Sequence, residues 1–340
     1  MNAALPPALQ KLAVVGAGSW GSALASVCCK AGREVTLWGR DADLVETINR
    51  DHENPAYLPG IALAPGIRAT TKLQDLAAAE LCLLVVPAQA LRGLAAKLAG
   101  VLGPSVPVVL CAKGIEADSG LLMTEVAAEA LPGHPQAVLS GPTFAAEVAR
   151  GLPTAVTLAS SDGALAARLA ETLGSRSFRP YVSDDPLGAE IGGTVKNVLA
   201  IACGIVAGRR LGDNARAALV TRGLAEMTRL ALTRGGKPET MMGLSGLGDL
   251  TLTCTATQSR NYSFGLALGE GQSLEAALAA SRGVVEGRFS AAAVAAMATS
   301  LEIEMPICAA VDAVVNRAAD LEETIAKLLA RPFKAEGFSA

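Results

Sequence analysis

Gly16, Gly18 and Gly21 form the pattern G-x-G-x-x-G near the start of the chain, directly after an apolar run at residues 12–15. This spacing suits a dinucleotide. The first glycine permits a tight turn, the second lets a pyrophosphate approach the backbone, and the third lets a helix pack against the strand. That helix would point N–H groups and a partial positive charge at the phosphates. A plain strand-to-helix turn is the alternative, and the surrounding βαβ pattern favours the dinucleotide site.

The end of the second predicted strand, residues 35–38, indicates which cofactor the site accepts. Sites that prefer NAD commonly carry an acid there, which binds the ribose 2′-hydroxyl, whereas an arginine accommodates a 2′-phosphate. This chain continues with Gly39, Arg40 and Asp41. We therefore expect NADP(H) to be accepted, alongside NAD(H). The alternatives are a solvated surface charge for Arg40 and a helix N-cap for Asp41.

A dehydrogenase that reduces a ketone also needs a proton donor, and the best candidate in this chain is a lysine. The two histidines, His52 and His134, lie in proline-containing loops, where exposure is the simpler interpretation. Lys196 instead lies in an apolar helical stretch after Gly192 and Gly193. Desolvation lowers the pKa of a lysine toward the range that acid–base catalysis needs. A lysine that reaches the surface along its aliphatic stem is the alternative.

Three further stretches carry charged groups among glycine or apolar residues. Asp249 lies in one of them, Lys113 follows a predicted strand, and Ser259, Arg260 and Asn261 are consecutive. A guanidinium with two short polar neighbours suits a phosphate or a carboxylate. A helix N-cap is the alternative for the acid, and an ordinary polar turn for the consecutive triplet.

Two kinds of structure must position these groups. In the first half, short apolar segments alternate with helix-compatible stretches, which predicts an α/β Rossmann domain with a doubly wound, mostly parallel sheet. Later stretches rich in Ala and Leu predict an all-helical domain, whose surfaces favour a homodimer. We expect a dinucleotide-binding domain over residues 1–187 and a helical substrate and catalytic domain over residues 188–340. The strands are predicted at residues 12–15, 35–38, 81–86, 106–111, 137–140, 156–159 and 178–182.

Composition argues against several other classes of protein. The 340 residues, 51% of them hydrophobic, allow two sizeable cores, and a net charge of −3 without a basic tract argues against binding nucleic acid. No apolar run is long enough for a transmembrane segment, and the N-terminus lacks a signal-peptide pattern. The 7 cysteines form no C-x-x-C pair. We therefore expect free thiols, no metal site and a cytoplasmic location.

Taken together, these segments resemble the bacterial-type NAD(P)-dependent glycerol-3-phosphate dehydrogenase family. The resemblance implies a Rossmann domain and an all-α domain of the type found at the C-terminus of 6-phosphogluconate dehydrogenase. It also implies interconversion of dihydroxyacetone phosphate and sn-glycerol 3-phosphate for glycerophospholipid synthesis. The matching segments run in order over nearly the whole chain, at residues 16–25, 52–59, 113–116, 139–151, 188–202, 244–254, 259–265 and 284–287.

The resemblance also implies roles for individual residues. Lys196 is similar to the family's proton donor and acceptor, and Lys113 to a lysine that contacts both cofactor and substrate. Asp249, Asn197 and Thr253 match positions that orient the proton donor and the substrate oxygens. The other implied positions are Gly141 and Thr143 in a substrate loop, Ser259, Arg260 and Asn261 at the phosphate, and Gly16, Gly18, Ser19, Trp20, Gly21, Arg40, Lys113, Ala145, Arg260, Val284 and Glu286 at the cofactor.

One departure and two alternatives remain. Ala88 stands where many members of the family carry serine, which puts a hydroxyl contact at that position in doubt. Another two-domain β-hydroxyacid or 6-phosphogluconate-type dehydrogenase would usually place asparagine four residues after its catalytic lysine, where this chain has Ala200. A non-catalytic dinucleotide sensor is the second alternative, and it would need no proton donor.

Overall fold

The computed structural model describes residues 7–281 and 283–332, which divide into two compact units. The first unit comprises residues 7–112 and 123–186. The second comprises Lys113–Leu122 and the described residues from Leu187 onward. The structure thus assigns residues 113–122 to the second unit, whereas the sequence places them in the first domain.

The first unit is built on one 8-stranded sheet. In chain order its strands are β1 (Lys11–Val15), β2 (Glu34–Trp38), β3 (Ile67–Thr70), β4 (Leu81–Leu84), β5 (Val108–Leu110), β6 (Gln136–Ser140), β7 (Thr154–Ala159) and β8 (Phe178–Ser183). Their order across the sheet is β3-β2-β1-β4-β5-β6-β7-β8. Every neighbouring pair is parallel except β6 and β7, so the predicted mostly parallel Rossmann sheet is confirmed. Strands β4 and β5 are apolar and buried throughout, as is typical of a parallel sheet that is covered on both faces.

Helices connect these strands. The α-helices of the first unit are α1 (Ser19–Lys30), α2 (Ala42–Asp51), α3 (Leu91–Leu98), α4 (Met123–Ala130), α5 (Ala145–Arg150) and α6 (Gly163–Leu173). Two short 3₁₀ segments, Leu73–Leu76 and Ala88–Ala90, complete the connections. Because β1, α1 and β2 follow one another at the centre of the sheet, the predicted glycine turn lies at the carboxyl end of a central strand.

The sequence predicts seven of the eight strands, and β3 is the one it misses. This strand lies at the edge of the sheet, has only 4 residues and carries the exposed Arg68. A short strand with a charge in it gives little periodic signal. The predicted strands at residues 81–86 and 106–111 are longer than β4 and β5.

The second unit is helical. Its α-helices are α7 (Pro186–Gly208), α8 (Asp213–Thr233), α9 (Pro238–Met242), α10 (Asp249–Thr255), α11 (Arg260–Gly269), α12 (Leu274–Ala280), α13 (Glu286–Ser300), α14 (Pro306–Asn316) and α15 (Leu321–Leu329). A π-helical turn, Leu244–Gly248, leads into α10. In the segment Lys113–Leu122, Ile115 and Leu122 form an isolated antiparallel bridge and both belong to the helical core.

Helix α7 is the central helix of this unit. It has 23 residues, and by length and composition it could cross a membrane, but 89% of its most apolar stretch is buried inside the structure. The longest apolar run in its sequence, residues 198–208, is too short to predict a transmembrane segment because it follows Lys196 and Asn197. Burial of this kind is typical of the core helix of a globular unit.

Helices α7 and α11 cross with their backbones in close approach. Gly204 and Gly208 of α7 face Gly265 and Gly269 of α11, and a Cβ added at any of the four would crowd the backbone of the other helix. At Gly265 the added atom would overlap the carbonyl oxygen of Ile201. Helix α7 carries the predicted site residues Lys196 and Asn197, and α11 carries Arg260 and Asn261. The close crossing of the two helices therefore sets the distance between these two pairs.

Replacing Gly265 with alanine is expected to lower the free energy of unfolding by roughly 2–3 kcal/mol, because the added methyl group meets backbone that cannot move aside. Denaturant unfolding followed by circular dichroism measures the effect. Gly93→Ala is the control, since this exposed helical glycine has no heavy atom within 4 Å of an added Cβ. The control should gain up to about 1 kcal/mol. Equal stabilities for the two variants would contradict the close crossing.

Candidate functional site

The glycine-rich turn of the first unit has the geometry that its sequence predicts. Gly16 has a φ of +121°, and a Cβ added there would overlap the carbonyl oxygen of Val85. A Cβ added at Gly21 would overlap the carbonyl oxygen of Gly16, so the helix can approach the turn only without a side chain. At Gly18 an added Cβ would meet nothing within 4 Å. This open space is where a phosphate could approach the backbone.

The helix that follows this turn presents its N-terminus without a side-chain cap. Gly18 is the N-cap of α1, and the first turn contains no acidic residue. Ser19 is the first helical residue, and the half-buried Trp20 packs against the core of the first unit. An uncapped helix N-terminus offers N–H groups and a partial positive charge to an anion.

Arg40 and Asp41 take different roles at the end of β2. The carboxylate of Asp41 accepts hydrogen bonds from the N–H groups of Asp43 and Leu44, at 3.1 and 3.2 Å, and so caps α2. Arg40 is exposed, and no hydrogen bond or ion pair joins it to another residue in the described part of the chain. Its guanidinium is therefore available to a ligand phosphate.

A second turn of the first unit follows β6 and contains three of the predicted residues. Gly141 has a φ of +133°, and a Cβ added there would lie 3.1 Å from the Cα of Val156. The hydroxyl of Thr143 donates to the carbonyl oxygen of Gly141 at 3.2 Å, and Ala145 begins α5. The three residues therefore share one constrained turn at the end of a strand.

The second unit brings three of the predicted charged residues into direct contact. One carboxylate oxygen of Asp249 accepts from the ammonium of Lys196 at 2.7 Å, and the other accepts from Lys113 at 2.6 Å. The side chains of Asp249 and Lys196 are 1% and 9% exposed, and that of Lys113 is 18% exposed. The structure thus joins a buried carboxylate to two lysines of different depth.

Thr253 lies one helical turn after Asp249 and completes the environment of Lys196. Its hydroxyl accepts from the ammonium of Lys196 at 2.9 Å and donates to the backbone carbonyl oxygen of Asp249 at 2.6 Å. The ammonium is therefore held by two oxygens, and its orientation in the cluster is fixed.

Burial and charge oppose each other in this cluster. Burial lowers the pKa of Lys196 to about 8, although the carboxylate of Asp249 acts to raise it and Lys113 acts to lower it further. Burial acts to raise the pKa of Asp249, but the charges and hydrogen bonds of Lys113 and Lys196 outweigh it and hold that pKa below its usual range. The cluster therefore contains an ionised carboxylate and a lysine that can gain or lose a proton near neutral pH.

The amides of Asn197 and Asn261 link three helices next to this cluster. The Nδ2 of Asn261 donates to the Oδ1 of Asn197 at 2.9 Å, and the N–H of Gly287 donates to the Oδ1 of Asn261 at 3.0 Å. The Nδ2 of Asn197 donates to the carbonyl oxygen of Gly193 at 3.3 Å. Asn261 therefore holds helices α7, α11 and α13 together. The hydrogen bond of Gly287 is not predicted from the sequence. Its local signal there is a glycine close to the start of a helix.

The start of α11 combines a capped turn with an exposed cation. The buried hydroxyl of Ser259 accepts from the N–H of Tyr262 at 3.3 Å and so caps the helix. Arg260 is exposed, and a Cβ added at Gly283 would lie 3.0 Å from its Nη1. The guanidinium therefore lies against the segment that contains Val284, which is 42% exposed, and Glu286, which begins α13.

Within each unit, then, most of the predicted residues lie together. In the first unit the glycine turn, Arg40 and the turn after β6 all lie at carboxyl ends of strands, where open α/β sheets bind their ligands. In the second unit the lysine cluster and the asparagine link share α7. In the described residues, no three or more His, Cys, Asp or Glu side chains are placed to hold a metal ion.

Family models match nearly the whole chain. The model described as NAD-dependent glycerol-3-phosphate dehydrogenase N-terminus matches residues 11–166, and the corresponding C-terminus model matches residues 185–326. The chain is 57% identical over 329 residues to a glycerol-3-phosphate dehydrogenase (NAD(P)+) of Parvibaculum lavamentivorans, covering 97% of this chain and 99% of that protein. A relative of the same name from Rhodospirillum rubrum is 55% identical over 332 residues, covering 97% and 95%.

A solved structure agrees with these matches. The crystal structure of a glycerol-3-phosphate dehydrogenase from Coxiella burnetii superposes with a TM-score of 0.91 at 42% sequence identity, covering 96% of this chain and 100% of that one. The resemblance stated from the sequence is therefore confirmed at the level of the family. The roles of individual residues stay predictions.

Replacing Asp249 with asparagine is expected to lower the pKa of Lys196 below about 8, because the attraction of the carboxylate disappears while burial and the repulsion by Lys113 remain. Titration of ¹³C-methylated lysines by NMR would measure this pKa. Asp312→Asn is the matched control, since Asp312 is a carboxylate in the same unit, equally buried and paired with Arg317. An unchanged Lys196 titration in Asp249→Asn would rule out the coupling.

Proposed function

This chain belongs to the NAD-dependent glycerol-3-phosphate dehydrogenase family, and we propose that it catalyses the reversible reduction of dihydroxyacetone phosphate to sn-glycerol 3-phosphate. The observation that carries the proposal is the buried cluster of Lys196, Asp249 and Lys113. A purely sensory protein has no use for a lysine whose pKa is lowered to about 8. When bound, NAD(P)H supplies the hydride, and the residues of the chain supply the proton and the charge.

Lys196 is the proposed proton donor in reduction and acceptor in oxidation. Its ammonium gives a proton to the substrate oxygen as the carbonyl is reduced, and the neutral amine takes a proton from the hydroxyl in the reverse direction. A pKa of about 8 leaves both forms populated near neutral pH, which suits a reversible reaction. Thr253 and Asp249 hold the nitrogen in one place, so little reorganisation is needed during the transfer.

Lys113 is the proposed electrostatic partner of this step. Its side chain is more exposed than that of Lys196 while both contact the same carboxylate. A second ammonium beside the reacting oxygen would stabilise the negative charge that develops there before the proton arrives. Asp249 keeps the two cations close together, since without the carboxylate they would repel each other.

The start of α11 is the proposed phosphate site. Arg260 stands exposed in the first helical turn, where an anion also meets the partial positive charge of the helix. The hydrogen bond from Asn261 to Asn197 uses one N–H of the Asn261 amide and leaves the other for a phosphate oxygen. A charge-assisted hydrogen bond of this kind contributes roughly 1.5–3 kcal/mol, so a ketone without phosphate should be a poor substrate.

The cofactor is proposed to bind at the glycine turn of the first unit. The pyrophosphate would lie at Gly18 and the start of α1, where nothing stands within 4 Å of an added Cβ. Arg40 would pair with a 2′-phosphate, which supports acceptance of NADP(H) as well as NAD(H). By their match to the family, Ala145 is proposed to face the cofactor, and Val284 and Glu286 are proposed to lie beside its nicotinamide.

A homodimer in the cytoplasm is also proposed. The 7 cysteines are all free thiols, as is usual in a reducing compartment. Support for self-association comes from the Ala-rich helices and from large apolar side chains of the second unit that stand exposed, among them Leu211 and Leu329. Sedimentation of the purified protein as a single 34.4 kDa species would contradict the dimer.

The activity itself is tested by initial rates of NADPH and NADH oxidation with dihydroxyacetone phosphate, with unphosphorylated dihydroxyacetone as the control. We expect oxidation with the phosphorylated ketone and little with the control, because Arg260 has nothing to bind in the latter. The ratio of the two cofactor rates tests Arg40, whose replacement by alanine should reduce the rate with NADPH more than that with NADH. If neither cofactor is oxidised, the proposed function is wrong.

Lys196→Ala is expected to reduce turnover by roughly 10²–10⁴-fold, because the variant lacks the proton donor, while NADPH still binds at the glycine turn of the other unit. In the unaltered protein, the rate of ketone reduction should fall as pH rises through about 8, where Lys196 loses its proton, and the rate of alcohol oxidation should rise. Steady-state kinetics across pH measure both. Lys327→Ala, on an exposed surface of the same unit, is the control. Undiminished turnover in Lys196→Ala would remove the assignment.

A further inference from the structure

One family-like segment, residues 52–59, has no role in the proposed reaction, yet Asn54 within it is completely buried. His52 ends α2 in the left-handed conformation, with a φ of 54°. The next residue, Glu53, pairs with Ala62 in an isolated antiparallel bridge. Asn54 follows, and its side chain is 0% exposed. A fully buried amide needs a partner for each polar atom, because an unsatisfied one is costly.

The amide of Asn54 is fully used, and two of its bonds reach the start of the dinucleotide site. The Nδ2 donates to the carbonyl oxygen of Ala17 at 3.0 Å and to the hydroxyl oxygen of Ser22 at 2.8 Å. The Oδ1 accepts from the N–H of Tyr57 at 3.1 Å, within its own turn. Both hydrogens of the Nδ2 group therefore hold the glycine turn and the first turn of α1.

The bond to Ala17 determines how one peptide of the turn is oriented. Ala17 lies between the first two glycines of the pattern, and its carbonyl shares a planar trans peptide with the N–H of Gly18. In such a peptide the C=O and N–H bonds point in opposite directions. Because the carbonyl of Ala17 points at Asn54, the N–H of Gly18 points away from it.

The glycine turn is thus fixed from two sides. The N–H of Gly16 donates to the carbonyl oxygen of Trp38 at 2.9 Å, which ties the turn to the end of β2. Asn54 ties the next peptide and, through Ser22, the helix that follows. Glycine-rich backbone is otherwise free to rotate, and that freedom would have to be lost when a ligand binds.

We propose that Asn54 is a positioning residue for the cofactor's pyrophosphate, which orients the Ala17–Gly18 peptide so that the N–H of Gly18 faces the phosphate. The proposal rests on the proposed function, since it requires a dinucleotide at this turn. Asn54 does not touch the ligand. It removes in advance the disorder that an unrestrained glycine turn would lose on binding.

The test compares ligands with and without a pyrophosphate. In Asn54→Ala the dissociation constants of NADPH and ADP-ribose should each rise about tenfold, the loss expected for one well-placed hydrogen bond. The constant for adenosine 2′-monophosphate, which has no pyrophosphate, should stay within about twofold. Fluorescence titration measures NADPH, and competition against it measures the other two ligands. A merely structural role would lower the melting temperature without separating the two classes of ligand.

Three further variants make the test specific. Asn54→Leu nearly keeps the volume of the side chain and removes the donor to Ala17 without burying a charge, so it should show the same loss for ADP-ribose if the alanine variant fails to fold. Ser22→Ala keeps the bond to Ala17 and should bind ADP-ribose within about twofold of the unaltered protein. Asn49→Ala is the matched control, because Asn49 also clamps backbone with both ends of its amide, at Ala69, away from the glycine turn.

Each outcome decides something. Unchanged ADP-ribose binding in both Asn54 variants, or an equal weakening of adenosine 2′-monophosphate, overturns the positioning role, and the proposed function then still stands. If the unaltered protein binds ADP-ribose but does not reduce the ketone, the proposed function fails while the Asn54 variants still test the turn. Absence of ADP-ribose binding by the unaltered protein overturns the positioning role together with the cofactor site.

Discussion

The carboxylate of Asp249 is the constraint on which the helical unit depends. A buried carboxylate without partners is strongly unfavourable, and a buried ion pair is tolerated only when its geometry is good and its other polar atoms are satisfied. Both conditions hold here, since each oxygen of Asp249 binds one lysine. The partners lie 136 and 53 residues away along the chain. A single charge therefore specifies how the segment after β5, helix α7 and helix α10 come together, and it places two cations side by side where a reaction could use them.

Close backbone packing gives this charge cluster a rigid support. The glycines of α7 and α11 let the two helices approach until their backbones touch, and the amides of Asn197 and Asn261 bridge the same pair of helices beside the cluster. The glycines allow the short distance between the two helices, and the hydrogen bond between the two asparagines fixes how far one helix is shifted along the other. Because α7 is buried along most of its length, Lys196 cannot escape to solvent without unpacking the core helix. The lowered pKa of Lys196 is therefore a property of the packing as much as of the residue.

The parts of this structure that the sequence predicts are those whose cause is local. Each glycine of the G-x-G-x-x-G pattern is required by a steric constraint of the turn itself, and the apolar strands are predicted from their composition. Asp41 likewise caps the helix that follows it. The sequence cannot reveal that Lys113 and Lys196 share one carboxylate, because no periodicity connects residues so far apart. Asn54 lies in a segment that resembles the family, but nothing in the sequence predicts its contacts, since an asparagine in a loop looks the same whether it is exposed or bonded to a distant peptide. The short edge strand β3 is missed because its four residues include a charge.

The chain path around Lys113 has a consequence for dissecting the protein. Residues 113–122 leave the sheet after β5, join the helical unit and return to α4, so the helical unit is discontinuous in sequence. A fragment that begins at Leu187 would contain the helices of this unit, α7 without its first residue, but neither Lys113 nor the Ile115–Leu122 bridge that packs in its core. Its Asp249 would face a single lysine, with one oxygen stripped of its partner. The helical unit is therefore complete on its own only when residues 113–122 are joined to it.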